Sequence, residues 1–579
     1  ATLVPRRPGL THRDQTRRRD TANIVAAVEG SGHILTTEHD VASFMVAVAG
    51  DGPGEIAVCY NTMAPETLSG AVEPPTSTPA ALNGPNGSEW LVAYQRDLTA
   101  KIKNQTFTYA RRPQFKKVIP TKVAHTHKHG DPNDVTTITE FRARWVGLGF
   151  RQGLNDFSAT YCATPNAASL RLFAAIIICL GLHCAGADVV KAFTLNPIDV
   201  ELYVEQMPGM EVAGDWPGAT KRNTVCFLHK CLEGLKQAGN IWQTTHSGFL
   251  NGLDLPKSHG KLKQSTVEPC IFIAHCALGI LAILVWVDDL WISYSCLPIY
   301  EEFVALYKLR FPSTHEQALE KFKFAGVSLH HRQGISMTVH QRPHIEMAFN
   351  KFVTDKVAAS KSPAIHRPAV ADRASPKHYS KITLAADDTE RAAMQGKPFL
   401  SVLATLMYVT HFTNPHLNYY TSFLGQFMHD PSPHAYECVI DLLIYAYYNR
   451  EIDVIVYGGD IRVPNAVPQH RRQEFRDCFG YHGWSDASWL LRTPAGFFLF
   501  FMNGPIDWAA KLIRVICLST AEAEIAAGCM LGKRVVFITQ LLQDFKLAPD
   551  KPPLLLIDNS ATDDLCGKNG VMPRTAHFL

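Results

Sequence analysis

Apolar and polar positions are unevenly distributed along the 579 residues of this chain. Up to about residue 85 no periodic apolar pattern is sustained. Six arginines crowd the first twenty residues, and stretches such as Pro74-Pro75-Thr76-Ser77-Thr78-Pro79 follow. Such a composition buries too little apolar surface to offset chain entropy, so this stretch is expected to be poorly ordered. The patch Val41–Val48 is its one candidate strand or helix. From Trp90 the pattern becomes globular. Short apolar runs at Val225–Leu228 and Ile271–Ala274 predict strands. Ala277–Val287 is a continuous apolar run that ends in two aspartates, and Gly279 near its start predicts a hairpin turn feeding a buried strand. Leu170–Leu182 is long and Ala-rich enough for a buried helix. Residues 360–395 are polar and read as a linker. Leu400–Tyr448 reads as helical, with Tyr408, Phe412, Tyr419, Tyr420, Phe423 and Phe427 expected in the core. A last αβ unit runs from Cys478 onward. The elements are mixed and the chain is too long for one core, which predicts an α+β protein of three or four domains.

Charge changes this picture locally. The net charge of +3 is uninformative, but between Lys101 and Arg151 eleven Lys and Arg face three acids, Asp131, Asp134 and Glu140. That excess suits phosphate contacts, although a solvated basic face explains it equally well. The fourteen cysteines form no Cys-x-x-Cys pair. Several, such as Cys179 and Cys517, lie in apolar runs and read as reduced core residues of an intracellular protein. The longest apolar run, Leu172–Leu182, is too short to span a bilayer, so no membrane partner is expected. The chain begins with Ala and without a signal-peptide pattern, as expected of a fragment or a processed product.

The candidate chemistry centres on Val287-Asp288-Asp289. Two adjacent carboxylates at a strand end are costly unless a cation binds them, and a divalent metal is the natural partner. Successive strand residues point to opposite faces, so a sharp turn after Val287 is needed to bring both acids to one site. A solvated turn is the plainer alternative. Asp188 also follows an apolar stretch, in Gly186-Ala187-Asp188-Val189-Val190-Lys191-Ala192-Phe193. Further along stand Glu201-Leu202-Tyr203-Val204-Glu205-Gln206-Met207-Pro208-Gly209 and Leu232-Glu233-Gly234-Leu235-Lys236-Gln237-Ala238. Upstream is Ala143-Arg144-Trp145-Val146-Gly147-Leu148-Gly149-Phe150. In this order the segments resemble the reverse transcriptase portion of copia-type retrotransposon Pol polyproteins, from about Trp90 to the C-terminus.

The resemblance implies a palm, fingers and thumb polymerase followed by a ribonuclease H-like α/β domain. Residues 1–88 would be a linker, 89–345 the fingers and palm, 346–470 a thumb or connection, and 471–579 the ribonuclease H-like domain. It implies RNA-directed DNA synthesis, with Asp188, Asp288 and Asp289 holding two Mg²⁺ ions, Mn²⁺ being an alternative. Arg144, Lys236 and Gln237 would contact the nucleotide. Phe193 would be a steric gate under the sugar, or else an ordinary core phenylalanine. The implied partners are an RNA template, a DNA primer, RNA–DNA hybrid, dNTPs and other parts of the polyprotein. The implied location is a cytoplasmic virus-like particle, and the nucleus.

Downstream, Trp484-Ser485-Asp486-Ala487-Ser488-Trp489, Ser519-Thr520-Ala521-Glu522-Ala523-Glu524 and Leu556-Ile557-Asp558-Asn559-Ser560-Ala561 resemble the family's ribonuclease H domain. By that resemblance Asp486 and Asp558 are catalytic metal ligands, with Glu524 favoured over Glu522 as the third. Ser519-x-x-Glu522 fits a capping box, with Glu522 reaching back to the N-cap amide, which leaves Glu524 to face the sheet. The chain stops at Leu579, where the family has an acid, so nuclease activity is expected to be weak. Elsewhere Leu148, Glu233, Gly239-Asn240, Trp286 and Asn414 depart from the family pattern. They keep a second reading open, a catalytically inactive relic that only binds nucleic acid or protein.

Overall fold

The computed structural model describes residues 74–131, 134–317, 319–353, 382–451, 454–488, 494–513 and 517–557. The candidate element Val41–Val48 and most of the stretches read as linkers lie outside the described residues. The chain divides into two compact units, Ala1–Tyr161 with Phe193–Gly239, and Cys162–Ala192 with Asn240–Leu579. Both contain helices and strands, so the protein is α+β.

In the first unit, a short helix (Thr78–Leu82) lies inside the stretch read as a linker. It forms because Ser77 caps it, accepting from the Ala80 amide, and Pro79 sits in its first turn. A longer helix (Gly87–Lys103) follows. It buries Trp90 and Tyr94, whose rings meet His125 on the antiparallel hairpin of Thr121–Asp131 and Asp134–Gly147. A four-stranded sheet completes the unit. Its loop at Gly234 has φ +84°, and a Cβ there would fall 2.4 Å from the Gly147 carbonyl oxygen. Only glycine fits this approach.

In the second unit, helix α1 (Ala167–Cys179) carries the predicted Ala-rich run. Asn166 caps it, and every residue from Ala167 to Ile178 is buried, as befits a helix that is apolar apart from Ser169 and Arg171. Strands β1 (His183–Val189), β2 (Ile271–Cys276), β3 (Gly279–Trp286), β4 (Asp289–Tyr294) and β5 (Ser313–Glu316) form most of a six-stranded sheet. Its order is Lys263–Gln264, β2, β3, β4, β1, β5, with every neighbour antiparallel. Strand β3 is buried from Ile280 to Trp286, which is why its sequence reads as unbroken apolar rather than alternating. The expected turn at Gly279 is present, with φ +134°. Two helices cover the region near the site, α2 (Ala238–Leu250), from Asn240 onward within this unit, and α3 (Leu297–Arg310).

The helical region downstream contains α4 (Phe399–Phe412) and two further helices, Asn418–Leu424 and Pro433–Asn449. Of the six aromatics expected in its core, only Phe412 is fully buried. Tyr419, Phe423 and Phe427 form a half-buried ladder, with ring centroids 6.2 and 5.6 Å apart. Residues four apart share one face, and that face is only partly covered. The last αβ unit has a four-stranded sheet of β6 (His482–Ala487), β7 (Pro494–Phe501), β8 (Gly504–Leu512) and β9 (Leu554–Ile557), in the order β8-β7-β6-β9. Only β6 and β9 run parallel. The long helix α5 (Thr520–Asp544) belongs to the same αβ unit. By length and composition α5 could cross a bilayer, but its first turns bury Glu522 and Glu524. Twelve described cysteines are free thiols; Cys517 is buried and Cys179 half-buried.

Candidate active site

Two hairpin strands and their neighbour bring the first three acids together. Asp188 lies near the end of β1 and pairs directly with Asp289, the first residue of β4. Paired residues of neighbouring antiparallel strands project from the same face, with Cβ atoms about 5 Å apart. Asp288 sits between β3 and β4, because Trp286 pairs with Asp289 and leaves Val287-Asp288 as a two-residue loop. The sharp turn therefore includes Asp288 rather than following Val287. Val287 has φ +57°. Left-handed backbone at the first loop residue is the pattern of a II′ turn, where glycine is usual and a β-branched residue is strained. Strain of this kind clusters where function fixes the backbone. The Val287 carbonyl accepts a hydrogen bond from Trp242 Nε1 at 2.7 Å. Nothing in the local sequence singled out Trp242.

The three carboxylates also interact electrostatically. Partial burial, then the charges of Asp288 and Asp188, push the Asp289 carboxyl up to about 7. Among the described residues no three His, Cys, Asp or Glu side chains stand close enough to form a metal-holding group. The donor set is oxygen only and suits a hard divalent ion.

The residues expected to contact nucleotide belong to the first unit. Arg144 is exposed on its strand, opposite Ala124. Phe193 is half-buried in the single 3₁₀ turn Ala192–Leu195. Lys236 is exposed, its ammonium 5.0 Å from the Phe157 ring centre. Gln237 is fully buried. Its carboxamide accepts from Gln152 Nε2 and donates to the Asp156 carbonyl, both at 3.0 Å. Those bonds make it a support of the 152–156 loop. The departure at Glu233 has a partner: its carboxylate lies 3.2 Å from buried Lys101, which also pairs with Asp97 at 2.8 Å.

In the last αβ unit Asp486 is exposed on β6. Glu524 is buried against that strand and accepts from the Ala487 amide at 3.2 Å. Ser519 caps α5 by accepting from the Glu522 amide at 3.1 Å. The Glu522 carboxylate accepts from the Leu518 amide at 2.6 Å, one residue before the N-cap that a capping box would use. The outcome is the same, since an orphan donor at the helix start is satisfied. Strand β9 ends at Ile557, opposite Ser485. Asp558 and Leu579 lie outside the described residues.

Comparison with known proteins bears on the family. Residues 104–366 match the family described as reverse transcriptase (RNA-dependent DNA polymerase). Over 517 residues the chain is 24% identical to the retrovirus-related Pol polyprotein from transposon TNT 1-94 of Nicotiana tabacum, covering 87% of this chain and 35% of that protein. Over 522 residues it is 23% identical to the retrovirus-related Pol polyprotein from transposon RE1 of Arabidopsis thaliana, covering 88% and 32%. The chain thus spans about a third of the length of these relatives. Among solved structures, a foamy viral protease-reverse transcriptase in complex with double-stranded DNA overlaps 98% of this chain and 79% of its own, with a TM-score of 0.42 and 11% identity. Residues 104–366 thus match the reverse transcriptase family, and most of the chain is similar to the Pol polyproteins of these plant retrotransposons.

Proposed function

We propose that this chain is an RNA-directed DNA polymerase that works by two-metal nucleotidyl transfer, with an associated ribonuclease H. The observation that carries the first part is the direct pairing of Asp188 with Asp289, beside a strained loop that presents Asp288. The three carboxylates would hold two Mg²⁺ ions, or Mn²⁺. When bound, these lower the pKa of the primer 3′-hydroxyl and neutralise the triphosphate of the incoming nucleotide. The chain itself positions the reactants, which is most of the protein's share in phosphoryl-type transfer. The substrates are a DNA primer on an RNA template and dNTPs, and the setting is a polyprotein processed inside a cytoplasmic particle. Three of the departures that keep the relic reading open have a partner or a buried place in the fold. Glu233 pairs with Lys101, Trp286 packs edge-on to Phe412 with centroids 6.4 Å apart, and Asn414 is buried. Primer extension on poly(rA) with oligo(dT) and Mg²⁺ is the test. Absence of extension by the unmodified protein would return the chain to the relic reading.

Phe193 is the proposed steric gate. Its position five residues after Asp188 matches the family's aromatic beside the sugar. Phe193→Val opens that space without adding charge, so the ratio of kcat/KM for dCTP over rCTP should fall by at least about tenfold, on the order of 1.4 kcal/mol of discrimination. An unchanged ratio with normal dCTP addition would make Phe193 core only.

For the ribonuclease, the two buried glutamates differ in their hydrogen-bond partners, and we assign them different roles on that basis. Glu524 bonds to the strand that bears Asp486, whereas Glu522 caps a helix. Glu524→Gln and Asp486→Asn should each reduce cleavage of the RNA strand of a hybrid at least about a hundredfold. Glu522→Gln should retain cleavage and lose about 1 kcal/mol of stability. The reverse pattern would exchange their roles.

A further inference from the structure

Beneath the candidate polymerase site lies a buried polar relay that the motif residues do not include. Trp242 on α2 is buried and donates to the Val287 carbonyl at 2.7 Å. Its indole stacks on His246, one turn further along α2, with centroids 4.8 Å apart and planes 14° apart. His246 Nε2 lies 2.7 Å from the Tyr307 hydroxyl on α3, and both side chains are buried. Burial holds His246 down to about 3, so its imidazole is neutral at working pH. Tyr307 in turn is near enough to Asp188 for that carboxylate, after burial, to raise its phenol. Phe311 packs edge-on to Trp242 and His246, at 5.4 Å from each.

One end of this relay holds the carbonyl of the strained residue just before Asp288, and the Tyr307 phenol at the other end lies within the electrostatic reach of Asp188. A valine at φ +57° persists only if its surroundings over-determine it; the Trp242 indole holds its carbonyl, while the Val189 amide donates to the Asp288 carbonyl at 3.2 Å. We propose that Trp242, through His246 and Tyr307, is a positioning residue that fixes the Val287-Asp288 loop against Asp188 and so sets the metal affinity of the triad. This inference rests on the polymerase reading for its role, but not for its measurement.

The test compares three variants of the full chain. Trp242→Phe keeps a ring against His246 and deletes the donor to Val287. Tyr307→Phe keeps the ring and deletes the hydroxyl. Phe249→Leu trims the same aromatic cluster, where Phe249 meets Phe311 at 5.1 Å, without deleting a side-chain donor or acceptor. Groups that orient metal ligands typically change metal affinity or activity by about 10–100-fold when removed. Trp242→Phe and Tyr307→Phe should therefore raise the half-saturating Mn²⁺ concentration about tenfold. They should lower kcat for extension similarly, leaving KM for dNTP and primer–template affinity within about twofold. Phe249→Leu should move neither. If Trp242→Phe matches Phe249→Leu in metal dependence and kcat, the relay is packing only and the inference fails. If the unmodified protein does not extend primers, direct Mn²⁺ titration decides: weaker binding by Trp242→Phe sustains the inference while the polymerase reading falls, and equal binding overturns it.

Discussion

Asp289→Asn is expected to abolish Mg²⁺-dependent primer extension while making the metal-free protein more stable. The amide keeps the shape of the carboxyl but contributes no charge to the metal pair. At least about a thousandfold loss of kcat/KM is expected, about 4 kcal/mol of transition-state stabilisation. The stability effect has the opposite sign for the same reason. The Asp289 carboxyl is raised from 3.8 to about 7 by burial and by Asp288 and Asp188, so its ionised form is disfavoured in the folded state. A folded-state pKa above the unfolded one means that stability falls as pH rises from about 4 to about 7, and levels off above. Asparagine does not ionise, so the variant's advantage should grow across that window and hold at pH 8. Solvent screening at this partly exposed position limits the gain to on the order of 1 kcal/mol. The measurements are extension rates and urea midpoints at pH 5 and pH 8 without metal. Retention of a tenth of the activity would remove Asp289 from the site. A midpoint at pH 8 below that of the unmodified protein would show that the repulsion is not there to relieve.

How much of this was legible in the sequence depends on where the signal lies. The central sheet was legible because β2 and β3 are short apolar runs bounded by turn residues. Helix α1 was legible because a thirteen-residue apolar segment has few other ways to be buried. The placement of Glu524 was legible because Ser519 marks the start of α5, which fixes the register of the helix. The loop at Val287 was only half legible. A II′ turn normally announces itself with glycine, and here valine occupies the left-handed position, so tertiary contacts override local turn chemistry. Gln237 was assigned by motif to the nucleotide, whereas its amide is spent on Gln152 and Asp156. Trp242 was invisible, because its partner lies 45 residues away and the bond runs to a backbone carbonyl, which leaves no trace in residue identity. Arg171 was hidden most completely, inside a run read only as apolar.

Arg171→Met is expected to cost about 3–5 kcal/mol of stability, the usual penalty for breaking a buried, hydrogen-bonded charge network. Arg171 is 2% exposed, within α1. Its Nε donates to the Ile506 carbonyl at 2.8 Å, and one terminal nitrogen reaches the His411 and Phe412 carbonyls at 2.6 and 3.3 Å. Those last two are orphan acceptors at the C-terminus of α4, where a cation is favoured. The other terminal nitrogen lies 3.7 Å from Asp507, which also pairs with Arg534, and the guanidinium sits 3.6 Å from the Trp508 ring centre. The indole of Trp508 donates to the Thr410 carbonyl at 3.0 Å. A single side chain thus joins α1, the end of α4 and β8, from three parts of the chain that share no sequence motif. Burial lowers the guanidinium to about 10 against the pull of Asp507, so it stays charged at neutral pH. Methionine fills similar length with apolar atoms, but leaves three carbonyls without that donor and Asp507 with one cation fewer. Lysine keeps the charge without the planar fork, and should recover only part of the loss. With a urea m-value of about 3 kcal/mol/M for a unit this large, the midpoint should drop on the order of 1 M for methionine and less for lysine. Equal midpoints for all three proteins would mean that the network contributes packing alone, and that the union of α1, α4 and β8 is held by the apolar surface around it.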